Sequence, residues 1–234
     1  MQIIPVIDVR HGVAVHASGG RREHYRPLAT PLADGSEPVA VARGLMSLYA
    51  FPALYVADLD AIEGREPNAE ILDRLAAGVP GTEFWIDAGD RASAFEANPA
   101  QRGRVSVLGT ESMRDEDDLA ALSRLPAGGT ILSLDFRGDR FLGPAGVLEA
   151  CASWPDRIIV MTLGRVGSGG GPDVARVSQI VARAQGRSVY AAGGVRNVDD
   201  IDRLAAAGAA GALVATALHE QKITAGDLNK IAGR

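Results

Sequence analysis

Short apolar runs of strand length recur along this chain, each followed by a longer amphipathic stretch, and this alternation restricts the fold more than any other feature. It is the pattern of βα units feeding a parallel sheet, since two parallel strands need a crossover long enough to hold a helix. The runs are Ile3–Ile7, Ala53–Ala57, Glu83–Ile86, Arg104–Leu108, Thr130–Leu134, Ile158–Met161, Val189–Ala192 and Ala212–Val214. Helix candidates lie around Val39–Leu48, Ala69–Ala77, Ala92–Glu96, Asp115–Ser123, Gly146–Ala152, Asp173–Ala184, Val198–Ala207 and Ala225–Ile231. Asp115 and Asp173 suit N-caps or first-turn acids, and Gly78, Gly186 and Gly208 suit C-caps. A doubly wound open sheet also alternates in this way. Eight near-continuous apolar strands without a composition break or linker fit closure better, so the expectation is an α/β chain folded as one (β/α)8 TIM barrel over residues 1–234.

An internal echo supports two half-barrels. The first and fifth runs both close on aspartate, as Ile4-Pro5-Val6-Ile7-Asp8 and Ile131-Leu132-Ser133-Leu134-Asp135. Asp87-Ala88-Gly89-Asp90-Arg91 after the third run matches Ala192-Gly193-Gly194-Val195-Arg196 after the seventh, and Leu108-Gly109-Thr110-Glu111-Ser112 matches Val214-Ala215-Thr216-Ala217-Leu218.

In such a barrel the residues at strand C-termini face the active site, so Asp8 and Asp135 are expected to enter it from opposite sides. Two carboxylates across a ligand can divide base and acid roles if their surroundings drive their pKa values apart. The plainer reading is that each caps a loop or helix. Gly193-Gly194 with Ala215-Thr216 read as a phosphate cradle, where glycine permits close backbone approach and a helix start offers amide donors, or else as tight turns that require glycine. Gly89 with Gly109 and Thr110 form the counterpart, either a second phosphate site or a structural vestige of duplication.

The loop Gly164-Arg165-Val166-Gly167-Ser168-Gly169-Gly170-Gly171-Pro172 is expected to move, with Arg165 meeting an anion and Ser168 donating a hydrogen bond, unless it is a mere connection. The stretch from Val9 to Pro38 is long enough for a lid and carries Arg10, His11, His16, Arg21, Arg22, His24 and Arg26. Those histidines lack the spacing of a metal site and no cysteine cluster joins them, so no metal is expected and they read as solvated loop residues. Asp58 and Asp60 either touch ligand or pair with Arg65 and the loop cations. A serine-hydrolase elbow, a P-loop lysine motif and a dinucleotide fingerprint are all missing from the sequence, which removes those enzyme classes.

Composition narrows the partners. A net charge of −5 argues against nucleic acid and anionic membrane, since neutralising many phosphates takes a clustered excess of Lys and Arg. The lone Cys151 cannot form an intrachain disulfide and reads as a buried structural thiol. With no signal-like N-terminal segment and no apolar run approaching roughly 18 residues, a cytoplasmic, membrane-free protein is expected. Oligomeric state is not legible.

On Ile3-Ile4-Pro5-Val6-Ile7-Asp8, Leu134-Asp135, Gly193-Gly194-Val195 with Asp199-Asp200, and Ala217-Leu218 with Lys222-Ile223-Thr224, the chain resembles the histidine-biosynthesis barrel family across nearly its whole length. The isomerase of that family converts a phosphoribosylformimino aminoimidazole carboxamide ribotide by an Amadori rearrangement. The resemblance implies Asp8 as the base taking the sugar C2 proton and Asp135 as the acid protonating the ring oxygen. It implies Gly193, Gly194, Ala215 and Thr216 around one phosphate, Gly89, Gly109 and Thr110 around another, and no cofactor.

The departures are local. Asp87-Ala88-Gly89-Asp90 stands where the family isomerase usually has a triple-glycine turn, and aspartates there repel phosphate. Met161-Thr162-Leu163-Gly164-Arg165-Val166-Gly167 replaces an Arg-Asp-Gly type of loop, and Ala215-Thr216 replaces Gly-Arg. These changes imply a paralogue acting on a smaller or differently substituted phosphosugar amine; its likeness to proteins of one-carbon cofactor biosynthesis, including tetrahydromethanopterin pathways, rests on resemblance alone. The alternatives are the histidine-pathway isomerase itself, a non-catalytic subunit that binds phosphate esters, and a glutaminase-coupled cyclase.

Overall fold

The computed structural model describes residues 1–89, 103–114 and 128–233. Eight parallel strands form the barrel: β1 (Gln2–Arg10), β4 (Ala53–Asp58), β5 (Glu83–Asp87), β6 (Arg104–Gly109), β7 (Thr130–Arg137), β9 (Arg157–Thr162), β10 (Ser188–Ala192) and β11 (Gly211–Val214). They pair in that order, and β11 returns to β1 with Gln2 opposite Gly211 and Pro5 opposite Val214, which closes the sheet. Three short strands, β2 (Val13–His16), β3 (Arg26–Pro27) and β8 (Arg140–Leu142), are antiparallel additions. Both half-barrels open the same way: β1 folds back through β2 and β7 through β8, so that Asp8 sits opposite Val15 and Asp135 opposite Leu142.

The pleat sorts the apolar residues into two cores. Ile4, Tyr55, Trp85, Val107, Ile131, Ile159, Tyr190 and Leu213 point into the barrel. Their strand neighbours Ile3, Leu54, Ile86, Leu132, Ile158, Val189 and Ala212 point outward, against helices α1 (Pro38–Leu48), α3 (Ala69–Gly78), α5 (Val174–Arg183), α6 (Val198–Ala206) and α8 (Ala225–Ala232). Short helices α2 (Leu59–Ile62), α4 (Ala145–Glu149) and α7 (Thr216–His219) complete the described set. The strands are apolar on both faces because each face is buried. Leu132 and Ile158 are fully buried, and truncating either to alanine costs about 2–5 kcal/mol through lost transfer energy and an unfilled cavity.

The lower end of the barrel is plugged. Trp85 and Tyr190 meet edge to face at 4.8 Å, and Trp85 Nε1 and Arg157 Nη1 both donate to Glu83, at 2.6 and 2.7 Å. Further along the same inward rows stand the small residues Ala57 and Ala192, and the barrel opens at the C-terminal ends of its strands.

Several punctuation expectations meet the structure directly. Asp173 caps α5 by accepting from the Arg176 amide, and Gly208 adopts φ +88° just past α6. Gly78 is not a C-cap: it ends α3 inside the helix, where an added Cβ falls 2.4 Å from Val39 Cγ1, so glycine is required there for helix contact. Cys151 sits in a 3-10 turn after α4, half-buried, its thiol directed at the Leu148 carbonyl at 3.0 Å. The helix candidates Ala92–Glu96 and Asp115–Ser123, with Asp90, Arg91 and the Asp115 cap, lie outside the described residues. Among the described residues no helix is long and apolar enough to cross a membrane.

Candidate functional site

The open end holds a cleft of about 130 Å³ lined from nearly every strand. Inward parity puts Val6 and Asp8 of β1, Tyr55 and Ala57 of β4, Asp87 of β5, Asp135 of β7, Met161 of β9 and Ala192 of β10 on its wall. Asp8 and Asp87 lie on one rung, both aligned with Ala57, while Asp135 enters from β7, across the barrel from β1 and next but one to β5.

The acids are held differently. Asp135 is buried and accepts from Ser133 Oγ at 2.6 Å and from the Glu111 amide at 2.9 Å, while its own N–H donates to Thr110 Oγ1 at 2.9 Å. Burial lifts its pKa to about 8; the Ser133 and Glu111 hydrogen bonds oppose this, and the charges of Asp87 and Glu111 add to it. Asp8 is half-buried, and among the described residues no donor sits on its carboxylate. Burial raises it to about 7, with the Arg22 guanidinium pulling down and Asp87 pushing up. Asp87, raised by burial to about 6, accepts from Tyr55 Oη at 2.8 Å and from the Gly89 amide at 3.1 Å. Arg22 reaches over the mouth from a 3-10 turn and pairs with Glu111. Burial thus holds both Asp8 and Asp135 above the usual carboxylate range.

Across the cleft stand Gly193, Gly194, Ala215 and Thr216, with Arg196 and Lys222 beside them. Gly193 and Gly194 have φ of +99° and +89°, and a Cβ on either falls within 2.6 Å of a backbone oxygen, Thr162 O or Gly171 O, so only glycine fits this turn. The turn is pinned by Asp200, 1% exposed, which takes Arg196 Nε and Nη2 at 2.8 and 2.9 Å. Thr216 and Ala217 begin α7, whose first amides have no partner within the helix.

The other expected residues fall elsewhere. Gly89, Gly109 and Thr110 do not line the cleft: the Gly89 amide is bound by Asp87, Thr110 is fully buried beneath Asp135, and both carboxylates lean over Gly109. Arg165 and Ser168 are also outside the lining. Arg165 donates to the carbonyls of Gly171 and Pro172, and Ser168 Oγ to that of Arg165, so both hold their own loop. That loop is tied to the first one by the Gly19 amide on Val166 O at 2.6 Å. Asp60 binds Arg65, His11 and Asn68, and Asp58 caps α2; both build the scaffold. His16, expected to be solvated, is half-buried at the end of β2.

Tyr55, Asp87, Glu111 and Arg22 are the cleft residues that motif reading passed over as working groups. Strand parity marks Tyr55 and Asp87, since Asp87 follows Trp85 on the inward row. No local signal marks Arg22 among the many cations of its loop.

Closure of the sheet, with acids and a glycine turn converging at the strand C-termini, defines a (β/α)8 barrel with its cleft at the face where such barrels carry their active sites. Residues 2–224 match the family described as histidine biosynthesis protein, and the chain belongs to it. It is 30% identical over 247 residues to a phosphoribosyl imidazole-carboxamide isomerase of Thermococcus kodakarensis, covering 99% of this chain and 97% of that protein. The corresponding isomerase of Myxococcus xanthus is 29% identical over 242 residues, 96% of each chain. An uncharacterised protein of Methanocaldococcus jannaschii is 24% identical over 221 residues, 94% of each.

Proposed function

We propose that the protein is an aldose–ketose isomerase working by acid–base chemistry of the Amadori type on a phosphorylated sugar amine. The observation that carries this is the entry of Asp8 and Asp135 into one cleft from facing strands, with pKa values of about 7 and about 8. Asp135 donates a proton to the ring oxygen as the C1–O bond breaks and the nitrogen lone pair forms the C1–N double bond. Asp8 then takes the C2 proton, giving an enolamine; return of that proton from Asp8 to C1, with the C2 hydroxyl proton passing to the Asp135 carboxylate, gives the ketose and restores both acids. Gly193, Gly194, Ala215 and Thr216 hold the phosphate, which anchors C2 against Asp8.

Each of Asp8→Asn and Asp135→Asn is expected to lower turnover by about 10²–10⁴-fold. Full activity of both on any turned-over phosphosugar amine sinks the scheme. The departures at Asp87 and Ala215-Thr216 favour a paralogue with its own substrate, in one-carbon cofactor synthesis by resemblance. The second reading, the histidine-pathway isomerase itself, is favoured by the names of the relatives in T. kodakarensis and M. xanthus. Complementation of a strain lacking that isomerase separates the two: rescue selects the second, and failure of a folded protein to rescue selects the paralogue.

A further inference from the structure

We infer that Arg10 is a positioning residue: it holds the backbone of the turn that carries Arg22, and so keeps that guanidinium beside Asp8. This rests on the reading of Asp8 as the base and adds what governs it from outside the cleft.

Arg10 follows Asp8 by two residues on the same side of β1 and does not line the cleft. Its half-buried guanidinium joins two segments. Nη1 donates to the carbonyl of Arg22, and Nη2 to Glu63 Oε2 at 3.4 Å. Glu63 ends α2 at the rim of the barrel, where Arg65 pairs with it as well. Arg10 Nε is buried and meets no acceptor among the described residues. A buried N–H left unmet weakens the arrangement, so the placement of this side chain answers to the two contacts it does make.

The turn has little else to fix its place. None of Arg22, Glu23 and His24 is buried and no side chain caps the turn; its internal hydrogen bonds, from the His24 amide to Arg21 and from the Tyr25 amide to Arg22, set its shape only. Its other ties are the Gly19 amide on Val166, three residues earlier, and the pairing of the Arg22 side chain with Glu111. That pairing draws the guanidinium toward the end of β6, while the anchor on its carbonyl keeps it within reach of Asp8 and Asp87. Asp8 is faced by Arg22 and Tyr25 of the first loop, Tyr55 of β4 and Asp87 of β5. Glu111, Asp135, Arg137, Arg196, Glu220 and Lys222 also stand on the cleft wall, and His16 and His219 line a smaller cavity beside Asp8. Among the described cations Arg22 weighs most on Asp8, so the place of its turn governs the acid.

The test is a carboxyl ¹³C NMR titration of the whole protein without ligand, the Asp8 signal being identified by its loss in Asp8→Asn. Arg22→Gln should raise the Asp8 midpoint by about one pH unit, the weight of a cation a few ångströms away. Arg10→Met keeps the stem and removes the donors, and should raise it by about half a pH unit or more. The double variant Arg10→Met with Arg22→Gln should titrate as Arg22→Gln alone, because Arg10 acts through Arg22. Glu63→Gln frees the other end of Arg10 and serves if Arg10→Met does not fold. Loss of the Glu63 charge by itself lowers the Asp8 midpoint, so a rise there comes only from a displaced turn. An Asp8 midpoint that stays in place in Arg10→Met, or fails to rise in Glu63→Gln, overturns the assignment. Additive shifts in the double variant overturn it too, since Arg10 would then act by its own charge. Those results leave the acid–base scheme standing, whereas full activity of Asp8→Asn removes that scheme and leaves the titration intact.

Discussion

Replacing Asp135 by asparagine is expected to stabilise the protein in mildly alkaline solution relative to mildly acidic solution. The carboxyl is 4% exposed, so little solvent screening applies, and burial is the largest cause of its rise from 3.8 to about 8. The folded state holds a proton that the unfolded chain has released, so unfolding releases it and stability falls as pH rises through that window. The slope is about 1.4 kcal/mol per pH unit, tapering as pH nears the folded pKa, which between about pH 5 and pH 8 amounts to about 4 kcal/mol. For a chain of this length that corresponds to roughly 8–16 °C in Tm. Asparagine has no such proton. It introduces a fixed cost, because one oxygen that accepted from Ser133 or Glu111 becomes an NH₂ donor, but that cost does not vary with pH. The readout is therefore the change in the variant-minus-wild-type difference between the two pH values, from urea midpoints at equal m-values. Parallel pH dependence in the two proteins would refute the reasoning, since the acid would then not be held protonated by its site.

The pH–rate profile should be a narrow bell, rising through about 7 as Asp8 ionises and falling through about 8 as Asp135 loses its proton; a plateau extending well above the upper limb contradicts the role of Asp135. Arg22→Gln should move the rising limb to higher pH, because the guanidinium lowers the Asp8 pKa, and an unmoved limb removes Arg22 from the site's electrostatics. Gly194→Ala should weaken inorganic phosphate by about tenfold or more in calorimetry, since the new Cβ falls 2.4 Å from Gly171 O and the turn must shift. Unchanged affinity would place the phosphate elsewhere.

The strand count and the inward acids were legible because both depend on local pattern. A strand buried on two faces must read as an unbroken apolar run, and the residue ending it on the inward parity must face the mouth, as Asp8 and Asp135 do. The duplication was legible for the same reason, and the paired hairpins β1–β2 and β7–β8 extend it. Glycine, by contrast, was ambiguous in the sequence: Gly78 and Gly109 are glycine because of what packs against them, Val39 in one case and Asp135 in the other.

The amino-acid sequence by itself thus determined the barrel, its two acids and its one glycine turn, through periodicities that span only a few residues. Tertiary structure alone decided that Arg22 crosses the mouth to Glu111, that Tyr55 and Gly89 hold Asp87, and that Arg165 is spent on its own loop. The contacts of Arg22, Tyr55 and Gly89 oppose the rise that burial imposes on the acids of the cleft. They join residues far apart in the chain, or turn on which of several nearby acceptors a side chain takes, and no local pattern encodes either.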